Sequence, residues 1–598
     1  MNQTMEELIP KIRTSGFLLL SYFRSYTETC ATGARVARLH LGHLSTKSHA
    51  QNRLDLDKYH DTMKDNQVSR LVVPASLTAL LLYQCWRLAR GPKVRHPPSP
   101  KSLPLVGNMF SIPFGQEYVA FAKLGEQLES DIVYLEVLGQ KILVLNSAEA
   151  ASDLLDKRST IYSDRPSIPM LTDPSLCGLF FIRPYLIVPS RMNWSRAVSL
   201  AKYSELWRSY RRILNNWLNK RTTTQFNVIQ ERQAHSLLRR LLNTTNNLQP
   251  FHSVKNEIYF AMGSLMLQTA YGYEPPSPED QFLKDAHLTF DNATLASMQT
   301  NFLVNLLPTM LYIPAWFPGT GWKQTAKEWG AQQEKSKSNL YEWLKARVTT
   351  GTEQLSLLGP LLQGHELVSG LSPSERDERL KEIGIMLFGG GTDTMSIFIT
   401  NFIAAMVLYP HVQARAQQEL DTVLGPAVLP KIPDQERLPY IRNLIDEVLR
   451  IYPVAPLGMP HVCTEDDTYR EYHIEKETVV LGNIWAIGND PRRYKNPEEF
   501  NPDRYLDPSV QRPPIFGWGR RKCPGNYFAE ASVFITTASL LSVFVFSKKT
   551  DKNGEEVVPQ IQTKENSIVM ELEPFEFDFR LRSEEHRELI LGTNVDKE

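Results

Sequence analysis

The chain has 598 residues, 42% apolar and 22% charged, a composition that excludes wholesale disorder and leaves room for one large domain or several. Lys plus Arg and Asp plus Glu each number 66, so no net charge recommends nucleic acid as a partner. Five scattered cysteines (Cys30, Cys85, Cys177, Cys463, Cys523), odd in number and without C-x-x-C spacing, exclude a disulfide framework and a structural zinc site and fit a reducing compartment.

Residues 1–62 are polar, and Glu6, Glu7 and Glu28 argue against a mitochondrial transit peptide. Met63 offers an in-frame start, so this stretch is expected to be either a gene-model artefact or a disordered lumenal tail. The run Leu71–Trp86 carries no charge. As a helix it would span ~24 Å against a hydrocarbon core of ~30 Å. A run this short also reads as a buried core helix. Arg70 and Arg87 can snorkel at its ends, however, and the basic flank Arg87, Arg90, Lys93 and Arg95 leads into proline-rich "HPPSPKSLPLVG". Together these predict an N-terminal membrane anchor and a stiff linker over 63–96, then a folded domain over 97–598 on the cytosolic side.

Within that domain, "IVYLEVLGQKILVLN" reads as strand from 132 onward. Cys177–Arg191, "CGLFFIRPYLIVPSR", is strongly apolar with two prolines. "YSELWRSYRR" follows, placing Trp207 and Arg211 on one helix face, a spacing that alone fits a half-buried amphipathic helix. Apolar spacing of three and four residues predicts helices over 231–245, 338–348, 381–410 and 411–425. The third contains "FGGGTDTMS", Phe388–Ser396, whose consecutive glycines each cost about 1 kcal/mol relative to alanine in a helix. That cost predicts a need for room beside the helix. Glu447 and Arg450 in "EVLR" have the spacing of an ordinary surface ion pair. "YPVAPLGMPH" ends at His461, "TVVLGNIWAI" reads as strand, and "FNPDRY" contributes Arg504. Last comes "FGWGRRKCPG", in which Cys523 lies between the cations Arg520, Arg521 and Lys522 and a Pro-Gly turn. Nearby cations and backbone N–H groups lower a thiol pKa, although a lone cysteine in a glycine-rich turn is usually inert.

This last stretch resembles the haem-binding signature of cytochrome P-450 enzymes, F-G-x-G-x-R-x-C-x-G, at every fixed position, and the other motifs follow the family's order. The resemblance covers nearly all of the chain after Pro97. It implies a fold that is mainly α with a minor β-sheet (α+β), with haem b held between the oxygen-binding helix and the cysteine loop. Cys523 would be the axial thiolate that favours O–O cleavage. Phe516, Gly517, Gly519 and Gly525 would shape its loop. Arg521, Trp207, Arg211 and His461 would meet the propionates, and Glu447, Arg450 and Arg504 would form a buried network fixing the loop. Asp393 and Thr394 in "GGTDT" would be the acid–alcohol pair that relays protons. By the same resemblance, the insert 177–191 has no counterpart and is either a hydrophobic lid or a translated intron.

The function so implied is a monooxygenase of the endoplasmic reticulum membrane, single-pass and facing the cytosol. Its electrons would come from NADPH through NADPH–cytochrome P-450 reductase, docking beside Arg520, Arg521 and Lys522, with cytochrome b5 as a second donor. Its substrate would be a lipophilic small molecule held around Phe388, Leu457 and Met459. "YIPAWFPG" and P-x-G-x-P-H at Pro456–His461 are most similar to basidiomycete members of fungal secondary metabolism. Two alternatives stay open: a haem-thiolate isomerase or dehydratase, and a catalytically impaired haem-binding pseudoenzyme.

Overall fold

The computed structural model describes residues 95–592 except 105, 113–114, 173–191, 193, 246–248, 299–300 and 566. Two units divide the chain, Met1–Arg87 and Leu88–Glu598, and every described residue belongs to the second. The expected anchor at 71–86, the 1–62 extension and the 177–191 insert lie outside the described residues.

Helices build the second unit, with one small mixed sheet beside them. Strands β1 (Ile132–Val137) and β2 (Gln140–Leu145) form an antiparallel hairpin with Ile132 opposite Leu145. Its two turn residues, Leu138 and Gly139, have φ of 50° and 86°, the backbone hand that a two-residue hairpin requires. Strand β3 (His461–Val462) pairs antiparallel with β4 (Val479–Gly482), and β4 runs parallel to β2. The strand expected over "TVVLGNIWAI" stops at Gly482. There the Asn483 side chain accepts a hydrogen bond from Ala486 N–H and turns Ile484–Gly488 into a short helix. A second pair, β5 (Phe544–Ser547) with β6 (Asp578–Leu581), was not expected, although "FEFDFRL" at 575–581 alternates apolar and polar residues as a half-buried strand does.

The helices that frame the site are α1 (Glu205–Trp217), α2 (Asn227–Leu242), α3 (Pro250–Tyr271), α4 (Gln281–Ser297), α5 (Trp322–Thr350), α6 (Pro373–Leu408), α7 (Pro410–Val423), α8 (Pro439–Ile451) and α9 (Asn526–Val543). Helix α6 is the axis of the domain. Ser372 caps it by accepting from Glu375 N–H, Pro373 opens it, and Tyr409 before Pro410 ends it after 36 residues. Among the described residues it alone is long and apolar enough to cross a membrane, yet 72% of its apolar window is buried inside the domain, as suits a core helix. It packs on α3, α5 and α9, and the apolar side chains of these helices merge into one continuous core.

Candidate active site

The cysteine loop runs from Phe516 to the start of α9. Its chain is drawn back on itself by the Cys523 N–H, which donates to the Phe516 carbonyl at 2.9 Å. Two glycines here are forced by geometry. Gly519 has φ of 54°, and a Cβ there would stand 2.2 Å from the Leu155 carbonyl oxygen; Gly517 has φ of 73°. Gly519 N–H also donates to Asp156 at 2.5 Å, which ties the loop to the chain beside β2. The accessible part of Cys523 faces an internal cavity, and surrounding atoms otherwise enclose the thiol. Burial pushes its pKa up, while the Gly525 N–H, Arg211 and Lys522 pull in the thiolate direction.

Behind the loop, Glu447 and Arg450 of α8 are both fully buried, unlike the surface pair that their spacing alone suggests. Arg450 donates twice to the Glu447 carboxylate at 2.8 Å, and Arg504 donates to both of its oxygens at 3.0 and 3.1 Å. The Asn501 N–H adds a further donor at 2.8 Å. The remaining guanidinium N–H groups reach the Gly488, Pro497, Glu499, Lys495 and Asn496 carbonyls. The three charges therefore clamp the backbone of 488–499, and their partners are supplied by the loop they hold.

The cavity measures about 910 Å³ and is bordered by α1, α6, the Pro453–His461 segment and the cysteine loop. Of the residues expected to hold a prosthetic group, Trp207, Arg211, His461, Phe516, Gly517, Arg521, Cys523 and Gly525 all line it, together with Asp393 and Thr394. Gly519 does not; its place is against Leu155, so its need for glycine comes from packing. Phe388 does not line it either, because its side chain turns into the core beside Phe290 at a ring-centroid distance of 6.2 Å. Met386 and Leu387 from the same helix do, as do Leu457 and Met459.

Cations gather at one edge. Arg521 donates to the Ser163 and Ala201 carbonyls at 2.7 and 2.8 Å, stacks over Trp207 at 4.3 Å, and keeps its buried Nη1 without a partner among the described residues. Burial, and then the neighbouring Arg165, depress its pKa to about 9. Arg165, which carries no motif beyond "SDRP", is itself buried on the Ser199, Met459 and Pro460 carbonyls, its pKa lowered to about 10 by burial. His461 is held neutral by burial and then by Arg165, with a pKa of about 3, and its Nδ1 lies 2.7 Å from the Tyr162 carbonyl. An orphaned guanidinium nitrogen among mutually opposed cations calls for an anion. An apolar cavity with a thiol on one wall and that demand at its edge fits an iron porphyrin with carboxylate arms.

On the opposite wall, the three glycines of α6 serve different ends, which corrects the expectation that all make room beside the helix. A Cβ at Gly389 would meet the Phe290 ring at 2.1 Å, and one at Gly391 would meet Met266 at 2.4 Å, so these two let α4 and α3 close on α6. At Gly390 alone of the three a Cβ would meet nothing within 4 Å, so this glycine leaves free volume on the cavity side. Thr394 donates to the Gly390 carbonyl at 2.7 Å. Asp393 lies next to it with its pKa raised to about 7, by burial first and by Asp291 second.

The family model for cytochrome P-450 matches residues 97–578. Cytochrome P-450 monooxygenase 98 of Postia placenta is 36% identical over 471 residues, covering 77% of this chain and 86% of that protein. The monooxygenase claR of Ampulloclitocybe clavipes is 33% identical, covering 83% and 88%, and eriA of Hericium erinaceus is 34% identical, covering 88% and 97%.

Proposed function

This chain belongs to the cytochrome P-450 family, and on that premise we propose that it oxygenates a lipophilic small molecule of fungal secondary metabolism with NADPH electrons passed through a reductase. Monooxygenation consumes dioxygen, two electrons and two protons; one oxygen atom enters the substrate and the other leaves as water. Haem, when bound, supplies the iron centre at which dioxygen is activated. Cys523 would hold its iron as a thiolate. Arg521 and Arg211, with Trp207 stacked on Arg521, would hold the carboxylate arms and answer the demand of the orphaned Nη1, and His461, its single N–H given to the Tyr162 carbonyl, would border that edge as a neutral ring. Glu447, Arg450 and Arg504 keep the cysteine loop in place without touching the cavity. Thr394 presents a hydroxyl over the cavity and Asp393 holds a proton beside it. Gly390 leaves the space in which a substrate approaches that hydroxyl, and the apolar lining, with Leu457 and Met459, excludes water from it.

The carrying observation is that Cys523, Arg521 and the Asp393–Thr394 pair line one cavity. An acid–alcohol pair at this place favours oxygen activation over an isomerase or dehydratase, which has no dioxygen to protonate. The basic surface at Arg520 and Lys522 is the docking face for an acidic reductase, with cytochrome b5 as a second donor. Leu71–Trp86 would anchor the enzyme in the endoplasmic reticulum membrane with the domain in the cytosol.

The test is expression of the full chain with a reductase. A carbon monoxide difference band of the haem-thiolate kind and NADPH oxidation accelerated by members of a lipophilic panel are expected. Haem binding without NADPH oxidation under any panel member would replace the reading with that of a haem-binding pseudoenzyme.

A further inference from the structure

Asp393 has a second side, away from the cavity. There α6 packs against α3 and α4, and the carboxyl faces the Tyr259 hydroxyl of α3, which supports its ionised form. That hydroxyl is buried and makes no direct hydrogen bond among the described residues. The Tyr259 ring lies on His287 of α4, with centroids 4.2 Å apart and planes at 54°. One helical turn further, Asp291 Oδ2 is 3.5 Å from His287 Nε2, and these two side chains are 57% and 46% exposed. Asp291 is also the acid felt most strongly by Asp393. Titratable groups are thus ranged from the exposed His287–Asp291 pair, past the Tyr259 ring and its buried hydroxyl, toward the carboxyl beside Thr394.

The remaining charged groups at this junction are Lys255 of α3 and Lys564 and Glu571 of the C-terminal segment. Both lysines pair with Glu571, so they are engaged with that carboxylate and not with Asp393. Asp393 therefore has one hydroxyl in its surroundings, that of Tyr259, which is not in direct hydrogen bond with it, and two acids, Asp291 and Glu571.

We propose that Tyr259, fed from solvent at His287 and Asp291, is the proton entry by which Asp393 is recharged in each turnover. The proposal rests on the monooxygenase reading above. Asp393 passes its proton toward Thr394 and is left as the carboxylate. The Tyr259 hydroxyl then gives its proton to that carboxylate as its oxygen takes one from water held at Asp291 and His287. Tyr259 begins and ends neutral, as burial among acids dictates, and the net event is one proton moved from solvent to Asp393. Electrons follow the separate route from the reductase. A phenol suits this relay because it donates and accepts at one atom and cannot hold a charge that would trap the proton.

Tyr259→Phe keeps the ring against His287 and removes only the relay atom. Full-length protein with excess reductase, NADPH and the panel compound that most accelerates NADPH oxidation is compared with wild type in light and heavy water. Oxygen consumption is expected to fall about tenfold or more, with a larger solvent isotope effect. The rate at which NADPH drives formation of the carbon monoxide complex is expected to stay unchanged, since that step needs electrons but not this proton. Asp291→Asn with His287→Gln, both on the surface, should lower oxygen consumption and raise the isotope effect in the same sense. Wild-type oxygen consumption and isotope effect in Tyr259→Phe would overturn the relay while leaving the enzyme reading intact. If Tyr259→Phe fails to hold haem, wild-type behaviour of the surface pair variant overturns it instead. A wild-type chain that binds no haem or oxidises no NADPH would overturn both readings.

Discussion

Glu447→Gln is the sharpest perturbation the structure offers, because it changes one atom and removes a charge on which two buried guanidinia depend. The carboxylate accepts from Arg450 Nε and Nη2, from Arg504 Nε and from Asn501 N–H, all within 2.8 to 3.1 Å. An amide can accept at one of these positions but presents N–H groups at the other. Removing one member of a buried charge network costs about 3–5 kcal/mol, most of it from the uncompensated partners left behind. With an unfolding entropy of about 2.1 cal/mol/K per residue over roughly 480 matched residues, that is a fall in Tm of about 3–5 °C. The control is Glu436→Gln, whose partner Arg442 is 3.3 Å away and whose own side chain is 81% exposed. It should move Tm by no more than about 1 °C. Thermal unfolding of both variants, followed by near-ultraviolet circular dichroism, separates the cases. The haem band of Glu447→Gln should decay at lower temperature along with it, since the network holds the backbone of 488–499 behind the cysteine loop. Equal Tm values for the two variants would refute the argument that burial, and not pairing, makes this network costly to break.

Further outcomes follow from the same geometry. Cys523→Ala should abolish the haem-thiolate difference band, and retention of that band would sink the assignment of the axial ligand. Arg521→Leu removes the nitrogen that lacks a partner, so the purified variant should hold less haem per chain by absorbance while remaining folded by circular dichroism. Gly389→Ala should destabilise by about 1–3 kcal/mol through the Phe290 ring, whereas Gly390→Ala should be neutral or more stable, by up to about 1 kcal/mol, and alter which panel compounds accelerate NADPH oxidation. Asp393 binds its proton more tightly folded than unfolded, so its contribution to stability is greatest below about pH 4 and declines as pH rises toward about 7. Asp393→Asn should therefore match wild type in Tm near pH 4 and exceed it by an increasing margin up to about pH 7; a constant gap would contradict the buried-carboxyl account.

Much of the site was legible in the sequence because its chemistry is local. Cys523 comes with its own glycines and Arg521 within a ten-residue window, and "GGTDT" carries both members of the acid–alcohol pair on one turn. Burial was not legible from spacing alone. Glu447 and Arg450 look like any i,i+3 surface pair until Arg504 and the backbone carbonyls of 488–499 are seen to enclose them. The three glycines show the same limit. Nothing near Gly389 reveals that Phe290, far earlier in the chain, will lie on it, and so packing glycines and a space-making glycine look alike. Arg165 had a faint signal in "SDRP", but its role depends on the Met459 and Pro460 carbonyls, which only the folded sheet brings to it. The short helix after Gly482 was masked by apolar residues that suit a strand equally well; the deciding atom is the Asn483 side-chain oxygen, which caps it.

Two buried carboxyls, Glu447 and Asp393, show how one functional group is turned to opposite uses by what surrounds it. Around Glu447 the fold supplies two guanidinia and a backbone N–H, so both oxygens have fixed donors and the group can do nothing but hold. Around Asp393 it supplies a single hydroxyl and two acids, Asp291 and Glu571, which leaves the carboxyl short of donors and balanced between its two protonation states near neutral pH. A group in that condition exchanges protons readily, and a cavity on one side with the Tyr259 hydroxyl on the other would give the exchange a direction. The difference lies in donors withheld, not in the side chain.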